Sequence, residues 1–187
     1  MKNFILIGLL LFMSMCKSPG NKSHVTAYKS IHIDTSRYAV LKFDTIAKLY
    51  GIFEKNYKPA VLSDVEIAEI QDLLTKRVMQ YNDTAYSAYK KDSIESKKRH
   101  PGSTAYDGRI IHPEKYYHQL IAAINSKGQK EVWINCFCDT YLIPSHSDRS
   151  YWRKHIFMVM DGGACFFHLR INLGTKTIYR FYVNSVA

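Results

Sequence analysis

Three cysteines in the second half of the chain, Cys136, Cys138 and Cys165, are the residues whose types could do chemistry. A thiolate with a histidine as base and a polar group to orient it is a nucleophile. His146, His155 and His168 would supply the imidazole, and Asn135, Asp139 or Asp148 the orienting group. The same thiols and imidazoles are also ligands that zinc prefers. Spacing argues against both uses. Cys-x-Cys on a strand is not the knuckle spacing that brings two sulfurs onto one ion, His168 would face away from Cys165, and no nucleophile signature surrounds any of the cysteines. The third use is a disulfide. Two residues apart on an extended strand, Cys136 and Cys138 are separated by about 6.6 to 7 Å, too far to bridge each other comfortably. Any disulfide should therefore join one of them to Cys165, the alternative being three buried thiols that behave as small hydrophobes. No metal or cofactor is expected.

The elements that must position these residues are strand-like. Glu131 to Cys138, the two halves of His155 to Leu173, and Thr177 to Val183 are rich in β-branched and aromatic residues and separated by turn chemistry. Asp161-Gly162-Gly163 reads as a tight hairpin turn, since glycine reaches the positive φ of a primed turn. That hairpin places Ile156, Met158, Met160, Cys165, Phe167, Leu169 and Ile171 on one face, the expected core face. The opposite face carries Phe157, Val159, Phe166, His168, Arg170, Arg180 and Tyr182 and is expected to be partly covered. Around Gly174-Thr175-Lys176 an odd-length loop would pair Leu169 with Phe181 and Phe167 with Val183, whereas an even one would set Leu169 against Arg180; the odd loop is predicted.

Upstream, Tyr38 to Asp44 is a candidate short strand, and Ile46 to Tyr57 is ambiguous between helix and loop. Ser63-Asp64-Val65-Glu66 is a capping box, and Ile67, Ile70, Leu74, Val78 and Tyr81 behind it form one apolar stripe that should pack on the sheet. Asn82 to Ile110 reads as a frayed helical extension followed by an exposed loop. Pro113 suits the first turn of a second helix, with Tyr117, Leu120, Ile121 and Ile124 as its apolar face and Gly128 as its stop. The predicted fold is therefore α+β, two helices packed on a mostly antiparallel sheet of about four or five strands. No phosphate loop, dinucleotide-binding fingerprint or internal repeat is present.

The polar stretch from Asp139 to Lys154 is longer than a hairpin turn, and long loops in compact domains often carry function. Tyr141, His146, Arg149, Tyr151, Trp152 and Arg153 supply aromatic and guanidinium groups suited to a binding loop. The alternative is that Tyr151 and Trp152 begin the next strand and cover the sheet.

The N-terminus sets the expected address. Lys2 precedes an apolar run from Phe4 to Met13 that falls a third to a half short of the roughly 20 residues of a membrane-spanning helix, and Ser14-Met15-Cys16 follows. A cysteine at the end of such a run resembles the lipobox of bacterial lipoproteins, with Met15 and Met13 standing where that pattern prefers a small residue and leucine. The resemblance implies that residues 1–15 are a signal peptide and Cys16 the lipidated first residue of the mature protein. Residues 16–30 would be the lipidated cysteine and a polar tether, and residues 31–187 a single domain. The tether lacks the acidic pair resembling a surface-export signal, so a periplasm-facing anchor on the inner or outer membrane is expected.

The precursor carries 26 basic and 16 acidic residues, and loss of Lys2 with the signal leaves +9. Such a surface favours anionic lipid or an acidic protein partner of the envelope. The run Lys97-Lys-Arg-His100 lacks interleaved aromatics, and no nucleic-acid partner is expected. Asn135-Cys-Phe-Cys138, Trp152-Arg153, the Asp161-Gly-Gly163 turn and the ending Phe181-Tyr-Val-Asn-Ser-Val-Ala187 resemble a group of small lipoproteins of Bacteroidetes-type bacteria, over roughly the second predicted helix to the C-terminus. That group has no assigned activity, so the resemblance implies an address and no mechanism. The expected function is a lipid-anchored, non-catalytic binding module, with an inhibitor or immunity-type role within that class. The alternative is a thiol-dependent or zinc-dependent enzyme using Cys136, Cys138 or Cys165 with a nearby histidine.

Overall fold

The computed structural model describes residues 35–43, 51–138 and 150–186, all within one compact unit, His32–Ala187. Among them are one α-helix and a six-stranded mixed sheet. The strands are β1 (Tyr38–Val40), β2 (Lys58–Pro59), β3 (Tyr117–Ile124), β4 (Lys130–Phe137), β5 (Phe166–Asn172) and β6 (Thr177–Val183). The main path runs β1-β3-β4-β5-β6, with β2 also on β3. β1 lies parallel to β3, and every other pair is antiparallel.

Helix α1 (Asp64–Arg99) starts at the capping box: the Ser63 side chain accepts from the Glu66 amide, and the Glu66 carboxylate accepts from the Ser63 amide at 2.8 Å. Its stripe is the predicted one. Ile70, Leu74 and Val78 are buried against Leu120, Ile134, Phe167 and Leu169, with Ile67 and Tyr81 flanking them. The helix does not fray after Tyr81 but continues to Arg99, because the chain returns along it: Tyr81 Oη donates to the Gly108 carbonyl, and Asn82 both donates to and accepts from the Ile110 backbone. Lys97, Lys98 and Arg99 occupy its last turn, where cations favour the helix dipole. No helix among the described residues is long and apolar enough to cross a membrane.

The second predicted helix is instead β3, preceded by a single 3₁₀ turn at Pro113–Lys115. Its six inner residues, His118 to Ala123, are buried on both sides, even positions under α1 and odd positions under a second layer. A strand buried on both faces loses its alternation, and its apolar positions can then imitate helical spacing. Gly128, at φ +76°, sits in the turn from β3 to β4 rather than at a helix end. The predicted first strand is present over Tyr38–Val40. Gly51 to Tyr57 is turn and loop, and residues 44–50 lie outside the described residues.

Two further expectations fail around β5. Ile156 to Met160 is not a strand, and Asp161-Gly162-Gly163 is not a hairpin turn. The segment lies across the second face of the sheet, and β5 pairs with β4. Gly162 and Gly163 do take positive φ, at the start of a 3₁₀ turn into β5. Met158 and Met160 are consequently exposed and Ile156 only half-buried, whereas Phe167, Leu169 and Ile171 are in the core as expected. The β5–β6 loop is even, four residues from Leu173 to Lys176, with Asn172 opposite Thr177. A bulge at Arg180, φ +54°, then shifts the register by one and restores Phe167 opposite Val183.

The second layer is Phe53, Tyr57, Trp152 and Phe157, packed on Ile121, Trp133, Phe137 and Phe166. On the α1 side His118 is fully buried, stacked 4.5 Å from Tyr38, with neither ring nitrogen hydrogen-bonded among the described residues. Burial pushes the imidazole down to about 4, against the opposing effect of the Arg37 main chain alongside it. Above the ordinary histidine value the ring is neutral folded and unfolded, and below it the unfolded chain binds a proton that the folded chain refuses. Stability should fall by about 1.4 kcal/mol per pH unit between roughly pH 6.5 and 4, about 3 kcal/mol in all. The difference between wild type and His118→Phe in urea unfolding, followed across that window, should show this slope; identical pH profiles would refute it.

Candidate functional site

The ladder from Phe137 to Phe166 sets the cysteine positions. The next pair beyond it is Cys138 and Cys165, which are disulfide-bonded with Cα atoms 4.9 Å apart, and the Cys138 amide donates to the Cys165 carbonyl at 2.9 Å. Cys136 lies opposite His118 on β3 and Phe167 on β5, fully buried beneath α1, and burial pushes its thiol up. Thiol catalysis needs a thiolate that substrate can reach. Cys136 offers neither, and Cys138 and Cys165 are joined. His168 projects from the opposite face of the sheet, His155 stacks on Tyr151 at 4.3 Å, and His146, Asp139 and Asp148 lie outside the described residues. Among the described residues no group of three or more His, Cys, Asp and Glu is placed to hold a metal ion.

Of the predicted binding loop, Tyr141, His146 and Arg149 also lie outside the described residues. Tyr151, Trp152 and Arg153 form a 3₁₀ turn with a packing role. Trp152 is buried edge-on to Tyr117 and Phe137, at 5.2 and 5.8 Å between ring centres. The Arg153 guanidinium covers the indole at 4.5 Å and donates to the Tyr38 carbonyl at 3.0 Å and to that of Ser36. These two close the second layer.

Two buried amides hold that layer down. Gln119 Nε2 donates to the Trp152 carbonyl at 2.5 Å and the His155 carbonyl at 2.6 Å, while its Oε1 accepts from the Phe157 amide at 2.9 Å. Asn135 Nδ2 donates to Gln119 Oε1 and to the Phe157 carbonyl. An irregular segment needs such partners because no ladder satisfies its backbone. Asn184, just past β6, donates to the Val159 and Asp161 carbonyls and ties the far end of the segment to the sheet. The rim is thus held at both ends.

Between this rim and the β5–β6 surface is a cleft of about 320 Å³, walled by Met158, Val159, Met160, Phe166, His168 and Tyr182. Met158, Met160 and Tyr182 are 47%, 87% and 52% exposed. A smaller hollow of about 130 Å³ adjoins it, sharing Met158 and His168 and bounded by Ile52, Trp133, Arg170 and Arg180. His168 is opposite Tyr182 in the ladder, with 5.2 Å between ring centres, and burial lowers its pKa, so the ring is neutral near pH 7.

Arg170, in the wall of the hollow, and its neighbour Glu131 are both buried. Glu131 Oε2 accepts from Tyr57 Oη at 2.9 Å and from Tyr179 Oη, Oε1 accepts from Asn125 at 2.8 Å, and Arg170 Nη1 is 3.8 Å from Oε2. Burial alone would raise the Glu131 pKa, but the bonds from Tyr179, Asn125 and Tyr57 and the charge of Arg170 outweigh it and hold the carboxyl below its usual range. The Arg170 guanidinium is 4.8 Å from the Phe53 ring centre, and its Nε has no hydrogen-bond partner among the described residues. Sequence reasoning missed this face as a site, although the available signal was His168 and Arg170 alternating along an otherwise apolar strand. No family model, curated protein or solved structure matches the chain.

Proposed function

We propose that this chain is a lipid-anchored, periplasm-facing envelope protein acting as a non-catalytic binding module, with the cleft between the β5–β6 surface and the 156–160 rim as its recognition site. The cleft carries this reading: Met158, Met160 and Tyr182 present apolar surface around a concavity of ligand size, on a frame braced by the Gln119 and Asn135 amides and by the Cys138–Cys165 bond. The address rests on Cys16 at the end of its apolar run. An inhibitor or immunity-type role falls within the same class.

Oxidative footprinting tests the binding reading. If the cleft is engaged in the envelope, Met158 and Met160 should oxidise several-fold more slowly in native membranes than in the purified protein, while Met79, exposed on α1, serves as reference. Equal oxidation of Met158 and Met160 in both preparations would reject it. Separately, Cys16→Ala should abolish labelling by radioactive palmitate.

A further inference from the structure

We infer that the ligand of this cleft is a small amphipathic monocarboxylate, its carboxylate held between Arg180 and Arg170 and its apolar body lying along Met158 and Tyr182 toward Phe166. This deepens the binding reading and rests on it. The starting observation is an unmet donor. Arg170 is 3% exposed, borders the smaller hollow, and its Nε–H bonds to nothing among the described residues. A buried guanidinium N–H without an acceptor is costly, and a carboxylate drawn into the hollow by the two charges would remove that cost once the wall around Nε, which leaves that atom almost no accessible surface, gives way. Arg180 borders the same hollow from the β6 bulge, and its side chain makes no hydrogen bond or ion pair among the described residues. Arg180 is exposed, and its backbone is held at φ +54°, where Asn or Gly is favoured, so its guanidinium is able to turn toward the hollow.

Charge and length narrow the class. Arg170 and Arg180 carry two positive charges and Glu131 one negative, which leaves +1 at this end of the cleft. A monoanion balances that, and a carboxylate accepts two parallel N–H bonds from a guanidinium. The larger cavity, by contrast, is bordered by no ionised side chain among the described residues: methionine, valine and aromatic groups surround the neutral His168, with the amides of Asn135 and Asn184 beside them. Along β5 the order is Arg170, His168, Phe166, a span of about 13 Å, the length of an extended medium-chain fatty acid or a short apolar peptide end.

Calorimetric titration of the chain from Lys17, exported without its lipid, tests this; every described core contact lies within His32–Ala187, so that chain keeps the fold. The probes are decanoate, decanol and N-acetyl-Leu-Phe. A 1:1 complex with decanoate or with the peptide acid is expected, about tenfold tighter than with decanol. Which acid binds more tightly distinguishes a lipid source from a peptide end. Arg180→Asn, tolerated at positive φ, should weaken acid binding about tenfold and leave decanol unchanged. Met158→Glu, at an exposed position where misfolding is not expected, should weaken the acids more than the alcohol. Equal affinity for acid and alcohol, or no effect of Arg180→Asn, would overturn the inference. So would absence of binding by both acids, and in that case continued protection of Met158 and Met160 in membranes would leave the binding module standing with a different ligand.

Discussion

Replacing Arg170 by Met should destabilise the protein by about 3 to 5 kcal/mol, because it leaves the Glu131 carboxylate buried without its cation. The bonds from Tyr57, Tyr179 and Asn125 remain, but they are neutral donors, and the ring faces of Phe53, Tyr57 and Tyr179 lose the guanidinium they surround. The pH dependence separates this cause from a simple packing loss. In the wild type the folded pKa of Glu131 is depressed, so its contribution is present above the unfolded value, near 4.5, and is lost as pH falls through the folded value. Without Arg170 one of the causes that lower the folded pKa is gone, so that pKa rises, and the deficit of the variant should shrink as the solution is acidified toward pH 4. Glu131→Gln added to Arg170→Met should recover part of the loss at pH 7. Urea unfolding of the three variants at pH 7 and pH 4.5 provides the numbers; a deficit that is independent of pH, with no recovery in the double variant, would mean that the pair is ordinary packing.

The features that could be read from the sequence are those fixed by local chemistry. Ser63 and Glu66 cap each other within one turn, and the stripe from Ile67 to Tyr81 needs only one face to bury. The C-terminal strands were legible for the same reason, since β5 alternates Phe167, Leu169 and Ile171 against Phe166, His168 and Arg170. What could not be read was set by layers on both sides of the sheet. β3 is covered by α1 on one face and by Trp152 and Phe157 on the other, so its pattern carries no period of two. Ile156 to Met160 has strand composition, but its backbone is satisfied by Gln119 and Asn135, which come from distant elements. The even β5–β6 loop was disguised by the bulge at Arg180, which returns the far end of the ladder to the register of an odd loop.

The site followed the same division. Tyr151, Trp152 and Arg153 have the composition of a binding loop, yet Trp152 fills the second layer and Arg153 covers it. Met158 and Met160 have the composition of a core strand and border the cleft. The exchange has one cause: once β5 pairs with β4 instead of with the 156–160 segment, that segment must cross the sheet, burying one end and exposing the other. The crossing is a non-local choice, made by a sheet register that no short window contains.

That register also decides which cysteine meets Cys165, and the expected cost of losing the bond is the second large effect. Cys136 is opposite Phe167, and only Cys138 falls opposite Cys165, one pair beyond the end of the ladder. The bond closes a loop with a sequence separation of 27, which on the chain-entropy account is worth about 3.5 kcal/mol. Cys138→Ser with Cys165→Ser should therefore lower the unfolding free energy by about that amount, and dithiothreitol should do the same to the wild type while leaving the double variant unchanged. The closed loop includes the 150–165 segment that carries the cleft rim, so Met158 and Met160 in the double variant should oxidise faster than in the wild type. Cys136 cannot substitute, because its thiol is under α1 on the ladder position of Phe167. If the double variant unfolds at the wild-type urea concentration and dithiothreitol changes neither protein, the bond contributes nothing to stability, and the rim is held by the amides of Gln119, Asn135 and Asn184 alone.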